Sequence, residues 1–286
     1  MDKLTRLGVL FRLLWRLLVL VLTFGLAYVT AFVAFPYLDK RLPLLEALLL
    51  LYLALAYLGI PAIIRFWRLA IRPNHIPLYA VTPDGWPSDP VNIVILAKNQ
   101  QQLISAMAAA GWQQADKANL KNLAKMLWAV LLNRPYATAP FSSLHLFGRA
   151  QDIGFQIQQG NPPTPRHRHH VRFWRLPLTP GEHARFWQIA LQDLLIGKRE
   201  VWVGAATHDI APFAIRWRSG QITHLIDEMT DRERDFLIDS LKQAKALGSL
   251  TTVKAGQPLR FRGQTFGVNI VADGYVKVVK LRRFYR

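Results

Sequence analysis

Two uninterrupted apolar runs open the chain. Leu17–Leu38 carries no charged residue over 22 positions, and Ala47–Ile64 carries none over 18. A helix needs about 20 consecutive apolar residues to cross the hydrocarbon core of a bilayer. The pattern therefore predicts transmembrane helices over 17–38 and 46–64, within a membrane anchor over 1–72. The first run is longer than the apolar region of a signal sequence, and no small-residue cleavage site follows it. The plainer alternative is a helical hairpin buried in a soluble protein.

Beyond the anchor the pattern breaks. Pro73, Pro77, Pro83, Pro87 and Pro90 exclude a continuous helix, so 73–88 reads as a proline-rich linker to a soluble domain over 89–286. Val91–Leu96 reads as a buried strand, and Gln101–Trp112 and Asn119–Leu132 place apolar residues at helical spacing. Ser143–Phe147, Asp152–Gln158 and Glu200–Ala206 read as strands, and Glu182–Leu195 as a helix. Arg218-Ser219-Gly220 reads as the turn of a hairpin joining Phe213–Trp217 to Gln221–Ile226. Asp273-Gly274 reads as a type I′ hairpin turn. Thr230-Asp231-Arg232-Glu233 fits a capping box, with Thr230 as N-cap and Glu233 as its partner, at the start of a helix reaching Leu247. Strands and helices mix without regular βαβ alternation. The expected fold class is α+β, with a largely antiparallel sheet.

The stretch Arg166–Arg175 holds three histidines, four arginines and two aromatics in ten residues. At strand period, Arg168, His170, Arg172 and Trp174 fall on one face, and His169, Val171 and Phe173 on the other. One face is cationic and is expected to meet a cleft or solvent. The other covers a core, where His169 reads first as a hydrogen-bonded core histidine. Arg166 and His167 read as solvated lead-in.

Charge adds a location. The 286 residues carry a net charge of +18 and no cysteine, which removes disulfide and thiolate chemistry. Lys3, Arg6, Arg12 and Arg16 precede the first apolar run, and Arg65, Arg68 and Arg72 follow the second. Only Lys40 and Arg41 lie between. By the positive-inside rule both ends, and hence the soluble domain, are expected on the cytoplasmic side of a multi-pass cell-membrane protein. Net charges of +6 over 1–76 and +12 over the remainder predict attraction to anionic membrane lipids, at about 1 kcal/mol per basic residue near the surface. Nucleic acid is the other polyanion such charge could serve, and the membrane tether ranks it below lipid.

Polar clusters fall at several strand ends. Arg149 and Asp152 flank one, His170 and Arg172 lie in the second, and His208 and Asp209 close a third. His224 and Asp227 precede the helix that carries Asp231 and Asp235. If these ends converge, the inventory serves acid–base attack on phosphorus, with arginines holding the anion, or a metal held by imidazole and carboxylate. The residues leave metal and cofactor open. The acid–base reading assigns His170, Asp209 and His224 to catalysis, and Arg149, Arg172, Asp227 and Trp174 to substrate binding. Plainer roles stand beside these: an Arg149–Asp152 salt bridge, Asp227 as a turn former, and Trp174 and Trp202 as core. No Gly-x-Ser-x-Gly, His-Glu-x-x-His, Walker loop or Gly-x-Gly-x-x-Gly occurs.

Six segments in order carry a family resemblance. They are Asp89-Pro90-Val91-Asn92, Ala109-Ala110-Gly111-Trp112, Phe147-Gly148-Arg149 with Gln151-Asp152, Arg168–Arg172 with Trp174, Trp202–Thr207 with Asp209, and His224 with Asp227, Asp231, Glu233 and Arg234. Over about 89–245 the chain resembles the LssY C-terminal domain family of bacteria. The resemblance implies a membrane-tethered domain, found in some relatives beside phosphatidic-acid-phosphatase-like or DedA-like domains. By that association it implies phospholipid or polyprenyl-phosphate metabolism. Two functions follow as expectations: a hydrolase acting on a phosphorylated or lipid-headgroup substrate, or a non-catalytic accessory protein binding anionic lipid or a membrane partner enzyme.

Overall fold

The computed structural model describes residues 3–70, 78–177, 182–191 and 199–282. They fall into two compact units, Met1–His75 with Arg216–Gln221, and Ile76–Ile215 with Ile222–Arg286.

The first unit holds two apolar helical rods. One runs through α1 (Lys3–Tyr28), a π-helical turn Val29–Ala34 and α2 (Phe35–Asp39). The other runs through α3 (Leu44–Ala54), a second π segment Leu55–Gly59 and α4 (Ile60–Ala70). Within them Leu13–Asp39 and Leu44–Phe66 are long and apolar enough to cross a membrane.

The second unit is α+β. Its strands are β1 (Tyr79–Val81), β2 (Pro87–Pro90), β3 (Ile93–Ala97), β4 (Gln113–Gln114), β5 (His145–Leu146), β6 (Arg149–Ala150), β7 (Ile153–Gln159), β8 (Thr164–Arg175), β9 (Glu200–Ile215), β10 (Ile222–Ile226), β11 (Leu247–Lys254), β12 (Leu259–Arg262), β13 (Asn269–Ala272) and β14 (Tyr275–Leu281). Its helices are α5 (Gln100–Ala109), α6 (Leu120–Leu131), α7 (Glu182–Ala190) and α8 (Thr230–Gln243). The main sheet has the order β11-β14-β3-β9-β8-β7-β4, with β10 also paired to β9. Every neighbour is antiparallel except β14 and β3.

Each face of the sheet has its own core. One buries Ile93, Ile95, Phe155, Val171, Phe173 and Trp202 with Leu103, Met107 and Trp112 of the α5 region and Leu237, Ile238 and Leu241 of α8. The other buries Val94, Trp174, Val203 and Ala205 with Leu144, Leu146, Trp187 and Leu191. The β8 alternation expected from sequence thus separates two cores.

Several sequence expectations change. The linker is partly folded: β1 and β2 lie inside 73–88 or overlap it, and pair with each other and with β5. Pro87 and Pro90 sit at the ends of β2, where proline is tolerated. Asp273-Gly274 is a turn but not a hairpin. The strand before it pairs with β12, while β14 pairs with β11 and β3. The glycine is required there because a Cβ at 274 would lie 2.7 Å from the backbone of Gln257, at φ +79°. The α7 helix ends at Ala190, and residues 192–195 of the expected helix lie outside the described residues.

Candidate functional site

The site forms on the β8–β9 pair. The register sets Arg168 opposite Asp209, His169 opposite His208, and His170 opposite Thr207. Residues directly opposite share a face and alternate faces along the strand. Arg168, His170, Arg172, Thr207 and Asp209 therefore converge on one side, and His169 and His208 on the other.

On the first side Asp209 is the centre. Its Oδ2 accepts from Arg168 Nε at 2.7 Å. Its Oδ1 lies 3.4 Å from His170 Nδ1 and 3.2 Å from His224 Nε2. His224 arrives on β10, whose pairing with β9 shifts register between Thr223 and Leu225 and again before Ile226. A bulged ladder of this kind re-aims side chains. His170 Nε2 lies 2.7 Å from Arg172 Nη1 and 2.8 Å from Thr207 Oγ1. Arg172 donates to Asp89 Oδ2 at 2.6 Å. Asn92, next to this carboxylate's strand, ties it in place: its amide donates to Ala206 O and Thr230 O and accepts from Ala206 N.

This side is buried, contrary to the expectation of a cationic face open to a cleft or solvent. Arg168, His170, Arg172 and Asp209 are each at most 3% exposed. The segment Ala139–Ser142 roofs them. Arg168 donates to Pro140 O and Gln156 Oε1, and Arg172 donates to Ser142 O. The Phe141 ring lies over both guanidiniums. It is seated on Gly154, where a Cβ would stand 2.2 Å from its Cζ. Two carboxylates neutralise two guanidiniums, so the cationic strand face becomes a closed ion-pair network. The His224 side chain, 25% exposed, is the member of the trio that reaches solvent.

Electrostatics follow from burial. Burial pushes the His170 imidazole well below its usual range; Asp209 opposes this and Arg172 and Arg168 reinforce it. Burial also lowers His224, against the pull of Asp209. Burial opposes ionisation of Asp209, yet the neighbouring imidazoles and the hydrogen-bonded Arg168 hold it well below the usual carboxylate range. The centre is a carboxylate between neutral imidazoles at neutral pH.

Other residues expected at this site from the sequence are set apart or otherwise engaged in the structure. Arg149 pairs with Asp152 at 2.7 Å, away from the trio and substantially exposed. Arg172 does reach the site, but its charge is engaged by Asp89. Trp174 is wholly buried and donates to Arg149 O, so its ring serves the core. Asp227 accepts from Met229 N and shapes the turn before α8. Arg166 is not solvated lead-in: it donates to Val130 O and Leu131 O at the C-terminus of α6, a favourable place for a cation. Asp89, Thr207 and Arg168 are the members that sequence reasoning did not assign. Arg168 carried a usable signal, two residues from His170 on the same strand face.

A second cluster lies on the opposite face. His169 Nδ1 and Glu233 Oε2 are 2.6 Å apart. Gln159 bridges the two histidines, its amide nitrogen meeting His169 Nε2 and its Oε1 lying 3.1 Å from His208 Nε2. With the amide donating, the chain of bonds runs from His208 through Gln159 and His169 to Glu233. His169 stacks between His208 and Phe236 at 4.4 and 4.0 Å. Glu233 is therefore not a capping-box partner. Met229 occupies the N-cap position without a side-chain bond, and Thr230 donates to Val271 O.

No curated protein and no solved structure matches the chain. The sequence model of one family, described as LssY C-terminus, matches residues 73–276. That span exceeds the resemblance seen over 89–245, taking in β1, β2 and the strands up to the start of β14. The chain belongs to the LssY C-terminus family.

Proposed function

We propose that this chain is a membrane-anchored hydrolase acting on a phosphorylated or lipid-headgroup substrate at the bilayer surface. The observation that carries the reading is the convergence on Asp209 of β9 of two imidazoles and a guanidinium from the two strands beside it, with His224 reaching solvent. Neutral imidazoles beside a fixed carboxylate suit water activation. In the reaction the water oxygen bonds to phosphorus, the bond from phosphorus to the leaving oxygen breaks, and a proton passes from the water to that oxygen. The test is phosphate release from phosphorylated lipids in mixed vesicles by the full chain. His224→Ala is expected to lower turnover about 10²–10⁴-fold. Equal turnover by the variant removes the trio from the chemistry.

A specific observation favours the second reading, a non-catalytic protein binding anionic lipid. The outer face of α6 leaves Leu120, Leu127, Trp128 and Leu131 at least half exposed. Lys121 and Lys125 flank it, as on helices that lie in a membrane interface. On this reading hydrogen exchange over 120–131 slows in anionic relative to neutral nanodiscs, while no phosphorylated lipid is turned over.

A further inference from the structure

Among the described residues, two groups of histidine and carboxylate place three ligand-type atoms within 4.8 Å of one another: His170, Asp209 and His224 in one, and His169, His208 and Glu233 in the other. Ring geometry separates them. A metal ion bound by imidazole lies in the plane of the ring, along the nitrogen lone pair. The His169 and His208 rings are stacked with 18° between their planes, 4.4 Å apart. Such near-parallel planes do not meet near the nitrogens, so no single ion is shared in that arrangement. Both His169 nitrogens and His208 Nε2 are also engaged with Gln159 or Glu233.

The His170 and His224 rings stand at 88° to each other, with centroids 6.0 Å apart. Their planes cross. The separations of 3.4 and 3.2 Å from Asp209 Oδ1 are those of neighbouring ligands around a tetrahedral ion. Bonds of about 2.0–2.1 Å set such ligands roughly 3.3–3.4 Å apart. His170 Nδ1 and Asp209 Oδ1 are buried without a hydrogen-bond partner, a costly state that an ion would relieve. The outer atoms are already oriented, as in built metal sites: Asp209 Oδ2 by Arg168 and His170 Nε2 by Thr207.

We infer that His170 Nδ1, Asp209 Oδ1 and His224 Nε2 hold a divalent metal ion that favours imidazole and carboxylate donors, zinc or a near neighbour, with an open position on the solvent side. Arg172 sets the main constraint. A guanidinium only donates, so without metal His170 Nε2 accepts from it and the proton sits on Nδ1. Metal binding moves that proton to Nε2, where Thr207 Oγ1 accepts it, so Arg172 Nη1 must withdraw from its 2.7 Å contact with Nε2 while keeping its bond to Asp89. The two guanidiniums are balanced by Asp89 and Asp209, so the ion does not meet an unneutralised cationic pocket. The site is the one assigned to hydrolysis above. An ion there would lower the pKa of a bound water to about 7, making both imidazoles ligands rather than bases.

The test uses the full chain in detergent, with its purification tag removed and its metal stripped by chelator. Zinc and cobalt are titrated by calorimetry, and cobalt also by its visible absorption. Wild type is expected to bind one ion per chain with a tetrahedral cobalt spectrum. His224→Ala, at the partly exposed ligand, is expected to weaken binding at least about tenfold while the protein stays folded by circular dichroism. His208→Ala, in the stacked cluster, is expected to bind like wild type. Absence of stoichiometric binding, equal affinity in His224→Ala, or loss of binding in His208→Ala overturns the inference. Binding is measured without substrate, so the two readings fail separately. A chain that binds the ion yet hydrolyses nothing sinks only the hydrolase, and turnover indifferent to chelation in a chain that binds no ion sinks only the metal.

Discussion

Two clusters of the same residue types lie back to back across one pair of strands, and they do different things. On one face His170, Asp209 and His224 point their polar atoms at a common place, with guanidiniums behind them. On the other His169, His208 and Glu233 form a stacked, hydrogen-bonded wall beneath α8. Their carboxylates also shift oppositely: Asp209 is held down by its cationic and imidazole neighbours, whereas burial pushes Glu233 up against the pull of His169. Composition alone would not distinguish the two faces. Ring orientation, and whether a guanidinium reaches the carboxylate, do.

The largest expected effect tests that difference directly. Asp209→Ala leaves buried Arg168 without its ion-pair partner, and is expected to cost about 3–5 kcal/mol in urea unfolding. A loss below about 1 kcal/mol would place Asp209 on the same footing as an ordinary polar contact. Next comes the roof. Gly154→Ala drives a methyl into Phe141 and is expected to cost about 1–3 kcal/mol, read as a lower unfolding midpoint at unchanged slope.

The wall cluster predicts a pH dependence of opposite sense to that of an ordinary paired carboxylate. A glutamate whose folded pKa is raised stabilises the fold below its usual 4.5, and that contribution is lost as pH rises through the raised value. Glu233→Gln is neutral throughout and still accepts from His169. The variant is expected to flatten this fall and to be at least as stable as wild type at pH 7. Greater stability of the wild type at pH 7 would make Glu233 a second Asp209. The smallest effect concerns Tyr136, shortly before the roof segment, whose hydroxyl donates to Asp116. Burial and Asp116 push its pKa up to about 12. The associated stability is present below pH 10 and lost as pH rises toward 12. Tyrosine absorbance should show a late-titrating phenol that Tyr136→Phe removes.

The division between faces was legible in the sequence because the strand period is local: the alternation of Arg168, His170 and Arg172 with His169, Val171 and Phe173 needs no partner to be read. The turn at 218–220 and the burial of Trp202 were legible for similar reasons. What failed depended on distant chain. Thr230–Glu233 matches a capping box, but His169, 64 residues upstream, takes the glutamate. Asp89 is 83 residues from the arginine it neutralises, so a cationic face that looked open is closed. Phe141 in the roof carries no motif at all.

The hairpin that delivers His224 also orders how the site is made. Asp209 and His224 lie on adjacent strands joined by a single turn, whereas Arg168 lies 41 residues before Asp209 and must wait for β8 to dock. Closing a longer loop costs more entropy before any contact rewards it. The carboxylate and its solvent-facing imidazole are therefore the nascent half of the centre during folding, and β8 brings the charge that fixes them.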